Sequence, residues 1–400
     1  MFSFKTCNHP SCHTYVACGT DTCYRHSTEK ERLRAYCTMK LESMEVVKDL
    51  CITDAEFEGI TLPETKEIIA SNFAWCTFRD MDFSHAKLIS SFFDFCLFEH
   101  CTFHDIDCRY SVFSGSEFLH CDFSGSFIVH SNFSGITSID TSFASSDLYF
   151  SSFPTSYLKN TVVRGLQSEE KRFPLLRPER SLVQVLQLPG GAAVKIFPHF
   201  SVVGFCNSYI VGGEQGGGCI MIDPGHIDEE LISLLVANHY MVEVVLVTHA
   251  HEAHVAGMGT LKKIYDPVVY AADPSRFDYP VQKVDDGEEL NLCGFTVRAI
   301  HVPGHSLDSM AYQIDHALFS GDTLEGGRLA TSNGFMEQEL LRNVVENRLM
   351  SLDENFLLFP GHGSISKLRI ERMFNQDLLH LQTIERTRSL LRDGEDAKEV

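Results

Sequence analysis

The chain has 400 residues, which is too long for one small domain and predicts two or three domains that each bury a core. Its formal charge of −21 argues against nucleic acid or an anionic membrane as a partner, because phosphate contacts need Lys and Arg. The sequence has neither an apolar run of transmembrane length nor the apolar region of a signal peptide. Fourteen cysteines scattered through such a chain favour free thiols in a reducing compartment, so we expect a cytoplasmic protein.

The N-terminal segment is dense in Cys and His. Cys7 and Cys12 are followed by Cys23 and His26, which gives a C-x4-C pair and a C-x2-H pair. Two such pairs suit a structural Zn²⁺ ion, which binds four N or S ligands in a closed shell. The segment resembles small zinc-knuckle modules, and its folding would then depend on the metal. Three further residues are alternative ligands: Cys18, His9 and His13.

A charged stretch from about residue 27 to 50 comes next. Apolar residues recur along it at helical spacing: Leu33, Tyr36, Cys37, Met44, Val47 and Leu50. The spacing predicts a helix that acts as a connector to the next segment or as a cap on it. Together with the Cys/His segment, this helix forms a predicted N-terminal unit of residues 1–50.

Residues 51–155 repeat with a period of five. From Phe73 to Phe153, 12 of the 17 positions spaced five apart are Phe, and a small residue lies two positions before most of them. A period of five matches neither a helix nor a flat strand, but it fits a coil of square cross-section with one pentapeptide per side. The stretch resembles the pentapeptide-repeat family, which implies a right-handed quadrilateral β-helix of roughly five coils. Phe57 and Leu62 extend the repeat toward the N-terminus, with a one-residue insertion before Phe73.

The sequence pattern of the remainder of the chain predicts strands and helices together, as in an α/β fold. Residues 156–181, with two prolines and several charges, predict a linker, and 182–400 predict a separate domain. The first elements predicted in this domain are two strands in 194–211, a strand and turn in 219–225, a helix in 229–239 and an apolar strand in 242–247.

A histidine cluster follows that apolar strand directly. One buried histidine is usually a satisfied core residue, whereas three at a strand end are more economically a metal site. Downstream, further apolar runs also end in turns that carry a His or Asp, and sites are typically assembled at such loops. The cluster is His249, His251 and His254, and the later residues are His305, Asp322 and His362.

Together these residues resemble the motif of the metallo-β-lactamase superfamily, Thr-His-X-His-X-Asp-His followed by a later His, Asp and His. The resemblance implies an αββα sandwich with its metals at the loops on one sheet edge. It implies that Asp223 is the family's early structural aspartate and that Asp322 bridges two metal sites. The implied ligands besides Asp322 are His249, His251 and His305 for the first metal, and His254 and His362 for the second.

One position departs from the motif. Ala253 stands where the family has an Asp that ligates the second metal, and an alanine cannot ligate. Glu252 is adjacent, but a shift of one residue on an extended turn points it elsewhere. We therefore expect one strongly held Zn²⁺ and a second ion that is weak or absent, with Fe as the alternative metal.

The resemblance implies a hydrolase in which a metal-bound hydroxide attacks an ester or thioester of a small molecule. Asp322 or His254 would accept a proton during turnover. Two alternatives stay open at this point. One is a non-catalytic scaffold with a vestigial metal site, and the other is a mononuclear iron enzyme that oxidises thiols.

For the β-helix we expect a rigid spacer, or a module for docking a protein partner or for self-association. Imitation of DNA is the least favoured role, although residues 51–155 carry 15 Asp and Glu against 4 Lys and Arg. Several of these acids, such as Asp82 and Asp122, occupy a position that pentapeptide repeats commonly fill with Asp or Asn.

Overall fold

The computed structural model describes residues 7–162, 186–187, 192–201, 204–213, 216–332 and 334–379, other than positions 11, 13, 64, 149, 150 and 154. His13 and residues 163–181 of the predicted linker lie outside this part of the chain. Within it, no helix combines the length and the apolar character needed to cross a membrane.

Six α-helices lie in the described part of the chain. They are α1 (Lys30–Ser43), α2 (Glu229–Ala237), α3 (Glu252–Val255), α4 (Met258–Ile264), α5 (Phe335–Val344) and α6 (Leu368–Phe374), with 3-10 turns at Tyr24–His26 and Pro274–Arg276 and a π-helical turn at Val345–Leu349.

The strands fall into two groups. Nine short strands form the N-terminal half: β1 (Val46–Lys48), β2 (Glu56–Glu58), β3 (Glu67–Ile69), β4 (Thr77–Arg79), β5 (Lys87–Ile89), β6 (Leu97–Glu99), β7 (Glu117–Leu119), β8 (Thr137–Ile139) and β9 (Tyr157–Lys159). The C-terminal half contains β10 (Leu186–Gln187), β11 (Ala192–Ser201), β12 (Gly204–Gly213), β13 (Gly217–Ile222), β14 (Tyr240–Leu246), β15 (Val268–Ala271), β16 (Gln282–Lys283), β17 (Glu289–Leu292), β18 (Phe295–His301), β19 (Met310–Ile314), β20 (Ala317–Gly321), β21 (Leu324–Glu325), β22 (Arg328–Leu329), β23 (Leu357–Pro360) and β24 (Ser366–Lys367).

The N-terminal strands stack in parallel as a β-helix, as the pentapeptide period predicts. Phe78 pairs with Phe98, and Phe98 with Phe118, so each coil contains 20 residues. The first strand already begins at Val46, and an isolated bridge at Val162 extends the stack. The helix predicted through residue 50 was therefore wrong beyond Ser43. Val47 and Leu50 are buried in the interior of the coil, because a pentapeptide coil and a helix both place apolar residues every three to five positions.

Phenylalanine rings fill the interior of the β-helix. Phe78 and Phe98 stack with their ring centroids 5.0 Å apart, and Phe98 stacks on Phe118 at the same distance. Burying each ring contributes about 1.5–3 kcal/mol. The small residues two positions before the rings also point inward, and Ser116 donates from Oγ to the carbonyl of Phe93 at 2.7 Å. Both inward positions predicted from the repeat are thus occupied as expected.

The C-terminal half is a sandwich of two sheets. One sheet has the order β10 to β16, and the other has the order β17-β18-β19-β20-β23-β24. Tyr209, Leu246, Phe319 and Phe359 belong to the apolar cluster between the sheets. Helices α2 and α4 contribute to a cluster on the outer face of the first sheet, while α5 and α6 contribute to one on the second. This is the αββα layering that the sequence predicts.

The β-helix packs directly against the sandwich along residues 355–376, which we call the bracing segment. Lys367 in this segment places Nζ 2.7 Å from Oδ1 of Asp94 on the β-helix, and the two side chains are 6% and 4% exposed. The same ammonium lies 4.6 Å from the ring centroid of Phe92. Such a buried ion pair is tolerated only while both partners are present, so it ties the two halves together.

Further contacts extend this junction along the coil. Asn132 donates from Nδ2 to Oγ of Ser366 at 3.2 Å. Phe374 lies 6.0 Å from the ring of Phe95, and a Cβ added at Gly135 would come within 2.1 Å of Phe374, so that ring fills space left by a glycine. The β-helix therefore contacts the sandwich along its side, whereas a spacer would hold the two apart.

Candidate metal centre

The four residues predicted for the first metal site lie on loops that follow strands. His249 and His251 follow β14, His305 follows β18, and Asp322 follows β20. Nδ1 of His251 is 3.0 Å from Nε2 of His249 and 3.1 Å from Nε2 of His305. Oδ2 of Asp322 lies 3.7 Å from Nε2 of both His249 and His305. The structure brings these four ligand atoms within 4.8 Å of one another.

In His249 and His305, the hydrogen bond of Nδ1 on the outer side of the ring leaves Nε2 facing the predicted metal site. Thr248 donates from Oγ1 to Asp223 at 2.7 Å, so its oxygen accepts from Nδ1 of His249 at 3.1 Å. Nδ1 of His305 donates to the carbonyl of Thr331 at 3.0 Å. In the neutral rings, the inward Nε2 atoms then carry lone pairs, which is the state of metal-binding histidines.

Asp223 organises the loop that carries the histidine cluster. It stands in left-handed backbone conformation, with φ 52°, at the end of β13. Its carboxylate accepts a hydrogen bond from the backbone N–H of Thr248 at 2.8 Å and lies 2.9 Å from Nδ1 of His254. A single buried carboxylate thus orients two parts of the predicted metal loop.

The second predicted site uses His254, His362 and the shared Asp322. Oδ2 of Asp322 is 3.3 Å from Nε2 of His254 and 3.2 Å from Nε2 of His362. The three ligand atoms again lie within 4.8 Å of one another. A Cβ added at Gly361 would lie 2.3 Å from Oδ1 of Asp322 and 2.5 Å from Cε1 of His254, so only glycine fits beside this site.

The second site has no additional carboxylate among the described residues. Ala253 directly precedes His254 in α3 and offers no ligand atom. Glu252 begins the same helix, but it is exposed and stands outside the group of converging ligand atoms. The second site therefore has three ligand groups where the first has four.

Burial and neighbouring charges set the protonation of the centre. Burial lowers the pKa of His249 well below its usual value, which favours the neutral ring. Burial alone would raise the pKa of Asp322, but the surrounding imidazoles, with His254 foremost, hold it well below its usual range. For His254, burial acts to lower the pKa, yet Cys206, Asp322 and Asp223 together raise it well above 6.5. A proton on Nε2 of His254 would then lie where a cation could replace it.

The residues present fit a metal ion. Oδ1 of Asp322 is buried and accepts no hydrogen bond from the described residues, although Nε2 of His254 lies 3.3 Å away. An orphaned buried acceptor of this kind calls for a cation or a donor. Imidazole nitrogens that face one another with lone pairs, next to an ionised carboxylate, suit Zn²⁺ or Fe.

The N-terminal cysteines form a separate cluster. Nδ1 of His26 lies 3.6 Å from Sγ of Cys7 and 3.4 Å from Sγ of Cys23, while Sγ of Cys12 is 3.9 Å from Sγ of Cys23. The four predicted ligand atoms lie within 4.8 Å of one another. Three thiols and one imidazole in this arrangement match the donor set of a closed zinc site.

The alternative ligands are engaged elsewhere or lie outside the described residues. Sγ of Cys18 accepts from the backbone N–H of Cys51 at 2.8 Å, on the first coil of the β-helix. The ring of His9 stacks on that of His26 with centroids 3.9 Å apart. His13 is outside the described residues. The segment that carries the cysteine cluster thus contacts the first coil of the β-helix through Cys18, while Leu33, Cys37 and Leu41 of α1 pack against the core of the coil.

Sequence reasoning missed residues that hold the ligand loops. Asp308 accepts from the backbone N–H of Ala250 at 2.9 Å. Asn207 donates from Nδ2 to the carbonyls of Pro360 and Gly363, at 3.0 and 3.1 Å, on either side of the final histidine. No spacing in the sequence marks these residues, because each binds a main-chain group that is distant along the chain.

Two family models match the chain. The model described as "Metallo-beta-lactamase superfamily" matches residues 201–280, and the model described as "Pentapeptide repeats" matches 69–105 and 96–137. Taken with the two-sheet sandwich and the coil of parallel strands, these matches show the class of each half. The C-terminal half of the chain contains a metallo-β-lactamase domain, matched over residues 201–280, and the N-terminal half contains pentapeptide repeats, matched over residues 69–137.

Individual relatives resemble the C-terminal half. The protein named "Atrochrysone carboxyl ACP thioesterase" from Aspergillus fumigatus is 31% identical over 216 residues, which are 48% of this chain and 64% of that protein. An uncharacterised protein of Mycobacterium tuberculosis is 26% identical over 205 residues, 42% of this chain and 91% of that protein. Among solved structures, the BLEG-1 B3 metallo-beta-lactamase covers 47% of this chain and 100% of its own, with 23% identity and a TM-score of 0.42.

Proposed function

We propose that this chain is a metal-dependent hydrolase that cleaves a thioester, or a related ester, of a small molecule. The observation that supports this best is the convergence of five imidazoles on one buried carboxylate, Asp322. The fungal relative's name gives thioester cleavage as its reaction, which favours a thioester over an ester here. The match covers less than two thirds of that protein, so its substrate is not carried over.

The proposal includes one strongly held Zn²⁺ bound by His249, His251, His305 and Asp322, and a structural Zn²⁺ at the N-terminal cysteine cluster. A bound ion would act as a Lewis acid and lower the pKa of its water to about 7. Because Ala253 removes a negative charge from the second site, we propose that His254 and His362 hold a second ion weakly or not at all. Iron in place of zinc is the alternative for the first site.

The chain's own groups supply proton transfer in this proposal. Oδ1 of Asp322 accepts no hydrogen bond from the described residues, although Nε2 of His254 lies 3.3 Å away, and it is the oxygen that accepts a proton from a water in this proposal. With the second site empty, His254 remains protonated, and its Nε2, 3.3 Å from Asp322, can donate a proton to the leaving group. Asp223 holds Nδ1 on the other side of that ring, so the proton is donated from a fixed atom. A cytoplasmic location, with reduced thiols, is also part of the proposal.

The experiment uses the full chain, purified with Zn²⁺, and a panel of acyl thioesters, lactones and phosphodiesters. Thiol release is followed optically, and metal content is measured by mass spectrometry. We expect thioester turnover that is lost, together with the C-terminal metal, in His251→Ala. His120→Ala, an exposed histidine on the β-helix, is the matched control and should retain both.

Metal retained with no activity on any substrate would favour the scaffold alternative. Activity unchanged in His251→Ala would also contradict the hydrolase proposal. Consumption of oxygen with a thiol substrate by the iron-loaded protein would favour the thiol-oxidising alternative.

A further inference from the structure

Large apolar side chains extend into solvent near His305 of the first metal site. Among the described residues, Leu307, Phe335 and Met336 are the most exposed large apolar residues, at 81%, 77% and 75%, and the next is Val236 on α2, at 63%. Leu340 follows Met336 by one turn of α5 and is also exposed. We call Leu307, Phe335, Met336 and Leu340 the apolar rim. Scattered exposed apolar residues are ordinary, whereas several around one site indicate a binding surface.

Leu307 belongs to the loop that carries a metal ligand. It lies two residues after His305, so the two Cα atoms are at most about 7 Å apart. Nε2 of His301 donates to the carbonyl of Leu307 at 2.9 Å, and Asp308 accepts from the backbone N–H of Ala250 at 2.9 Å. The backbone of Leu307 is therefore fixed on both sides, and its side chain is held in solvent beside the site.

The first turn of α5 lies beside the same histidine. Nδ1 of His305 donates to the carbonyl of Thr331 at 3.0 Å. The side-chain amide of Gln338 donates at 3.1 Å to the carbonyl before Thr331 and accepts at 2.9 Å from the N–H after it. Phe335 lies three residues before Gln338 and therefore on the same side of the helix. Leu307 and Phe335 thus come to His305 from two separate segments.

The middle of α5 packs on the turn that precedes His305. A Cβ added at Gly304 would lie 2.5 Å from Cα of Leu341 and 2.7 Å from its backbone nitrogen, so only glycine allows the helix to come this close. Gly304 also has φ 145°, which side chains rarely permit. The helix is fixed relative to the metal ligand, so the apolar rim is preformed.

The metal centre is open to solvent on the side of His251 and His305. His251 is exposed and His305 is partly exposed, whereas His249, His254 and Asp322 are buried. Nδ1 of His251 lies 3.1 Å from Nε2 of His305, so the two rings border the same opening. A substrate with its carbonyl at the centre extends past these rings. A chain of about six carbons then covers the distance to the neighbouring loop.

We infer that the apolar rim binds the acyl chain of the substrate, and that the substrates are thioesters of apolar acyl groups with about six carbons or more. This inference rests on the proposed function. With the carbonyl at the metal centre, the chain lies across Leu307 and Phe335. Met336 and Leu340 continue the apolar surface along α5, and the flexible thioether of Met336 adapts to chains of different shape.

Other occupants of the apolar rim fit the structure less well. A stable interface between two copies takes about 20 to 30 residues on each side, and the rim has four large apolar side chains. An anionic membrane would be repelled by the formal charge of −21 and by Glu337, which is exposed within the rim's helix. An acyl chain needs neither a large area nor a positive surface.

The first test measures hydrolysis along an acyl series by the full-chain zinc protein. N-acetylcysteamine thioesters of acetate, butyrate, hexanoate and octanoate are compared by kcat/KM. Burial of one methylene tightens binding by up to about fourfold. We expect the octanoyl thioester to exceed the acetyl thioester by at least about 15-fold, which burial of two of its additional methylenes would give. Most of the gain should lie in KM, because the chain does not react.

Polar substitutions in the apolar rim should remove this preference. Leu307→Ser and Phe335→Ser should each lower the ratio of octanoyl to acetyl kcat/KM by about fourfold, and the double variant should bring the ratio close to one. Both side chains are largely exposed, so the fold should be retained. Val236→Ser, which changes an exposed apolar residue on α2, is the matched control and should retain the ratio. Unfolding temperature and metal content check each variant.

The second test measures binding without catalysis. Acetohydroxamate and octanohydroxamate have the same metal-binding group, and each is titrated into the zinc protein by calorimetry. We expect octanohydroxamate to bind at least about 15-fold more tightly, and the double variant to lose this difference. Sedimentation with and without vesicles of phosphatidylcholine and phosphatidylglycerol reports membrane binding and self-association.

Thioester hydrolysis without a dependence on acyl length, or with one that the double variant retains, would overturn the inference and leave the hydrolase proposal intact. A preference for octanohydroxamate that the double variant loses, in a protein that hydrolyses none of the thioesters, would support the apolar rim and count against the hydrolase proposal. Equal affinity for the two hydroxamates, or binding of neither, would contradict the inference. Self-association or vesicle binding that the double variant loses, with unchanged acyl preference, would assign the rim to that partner instead.

Discussion

The two predicted metal sites share Asp322 but differ in their ligands and in what supports them. The first site adds three imidazoles to that carboxylate, and all four residues lie on loops of the sandwich. The second adds only His254 and His362, and His362 lies in the bracing segment that contacts the β-helix. The first site therefore depends on the sandwich alone, while the second also depends on the junction between the two halves.

This difference assigns a structural role to the β-helix. Gly363 directly follows the final histidine, and its carbonyl lies 3.4 Å from Nδ1 of the buried His130 on the coil. The ion pair between Asp94 and Lys367 fixes the same segment four residues further on. A disturbance of the junction should thus reach the second site before the first.

The largest effect is expected from removing the shared carboxylate. Asp322→Asn should lower hydrolysis by at least about 100-fold, because even the loss of a hydrogen-bond partner of a metal-bound His costs about 10- to 100-fold. Metal analysis should show loss of the C-terminal ion, while His362→Ala should leave one ion bound at the first site. Asp278→Asn, an exposed aspartate, serves as control. If Asp322→Asn retained the full metal content, the assignment of a shared ligand would be wrong.

Breaking the buried ion pair should have the next largest effect. Asp94→Ala leaves the Lys367 ammonium buried without its partner, so we expect the free energy of unfolding to fall by about 3–5 kcal/mol in urea titrations. The double change Asp94→Leu with Lys367→Met replaces the pair by apolar side chains and should recover most of this loss. A single variant as stable as the wild type would show that the junction does not hold the halves together.

Restoring the missing carboxylate should strengthen only the second site. Ala253→Asp adds a charged group next to His254, and we expect metal binding there to tighten by about tenfold or more, so that metal content rises from one ion toward two. Ala253→Asn has nearly the same shape without the charge and is the control. If the Asp and Asn variants bound the same amount of metal, the lost charge would not be the cause of the weak second site.

The smallest predicted effect is a decrease in the free energy of unfolding at low pH, caused by His130. Burial lowers the pKa of His130 to about 3, against an ordinary value of 6.5. The unfolded chain therefore binds a proton near pH 6 that the folded chain does not, and stability falls as pH drops below 6.5. From pH 7 to pH 5.5 this group alone should cost about 1 kcal/mol.

His130→Phe retains a ring to stack on Tyr110, which lies 4.9 Å away by centroids, but cannot titrate. When the pH is lowered from 7 to 5.5, the free energy of unfolding measured for His130→Phe in urea titrations should fall less than that of the wild type. The same slope in both proteins would mean that His130 does not contribute.

Much of the fold and of the predicted metal site can be predicted from local patterns in the sequence. A five-residue period fixes which side chains point into a square coil, so the column that includes Phe78, Phe98 and Phe118 could be predicted without a structure. Ligand-type residues at strand ends likewise predicted which residues converge, because the ends of neighbouring strands meet at one sheet edge. The start of the coil at Val46 was not predicted, since apolar spacing over a few residues does not separate a coil side from a helix.

Other features arise only from contacts between distant parts of the chain. Asp223 had a place in the motif, but its bond to His254 depends on how β13 and α3 meet. Nothing in the sequence pairs Asp94 with Lys367, 273 residues away. One side of the coil lies against the bracing segment, and periodicity determines that the coil forms but not which of its sides is buried. That choice depends on the fit of whole surfaces, so only the tertiary structure decides it.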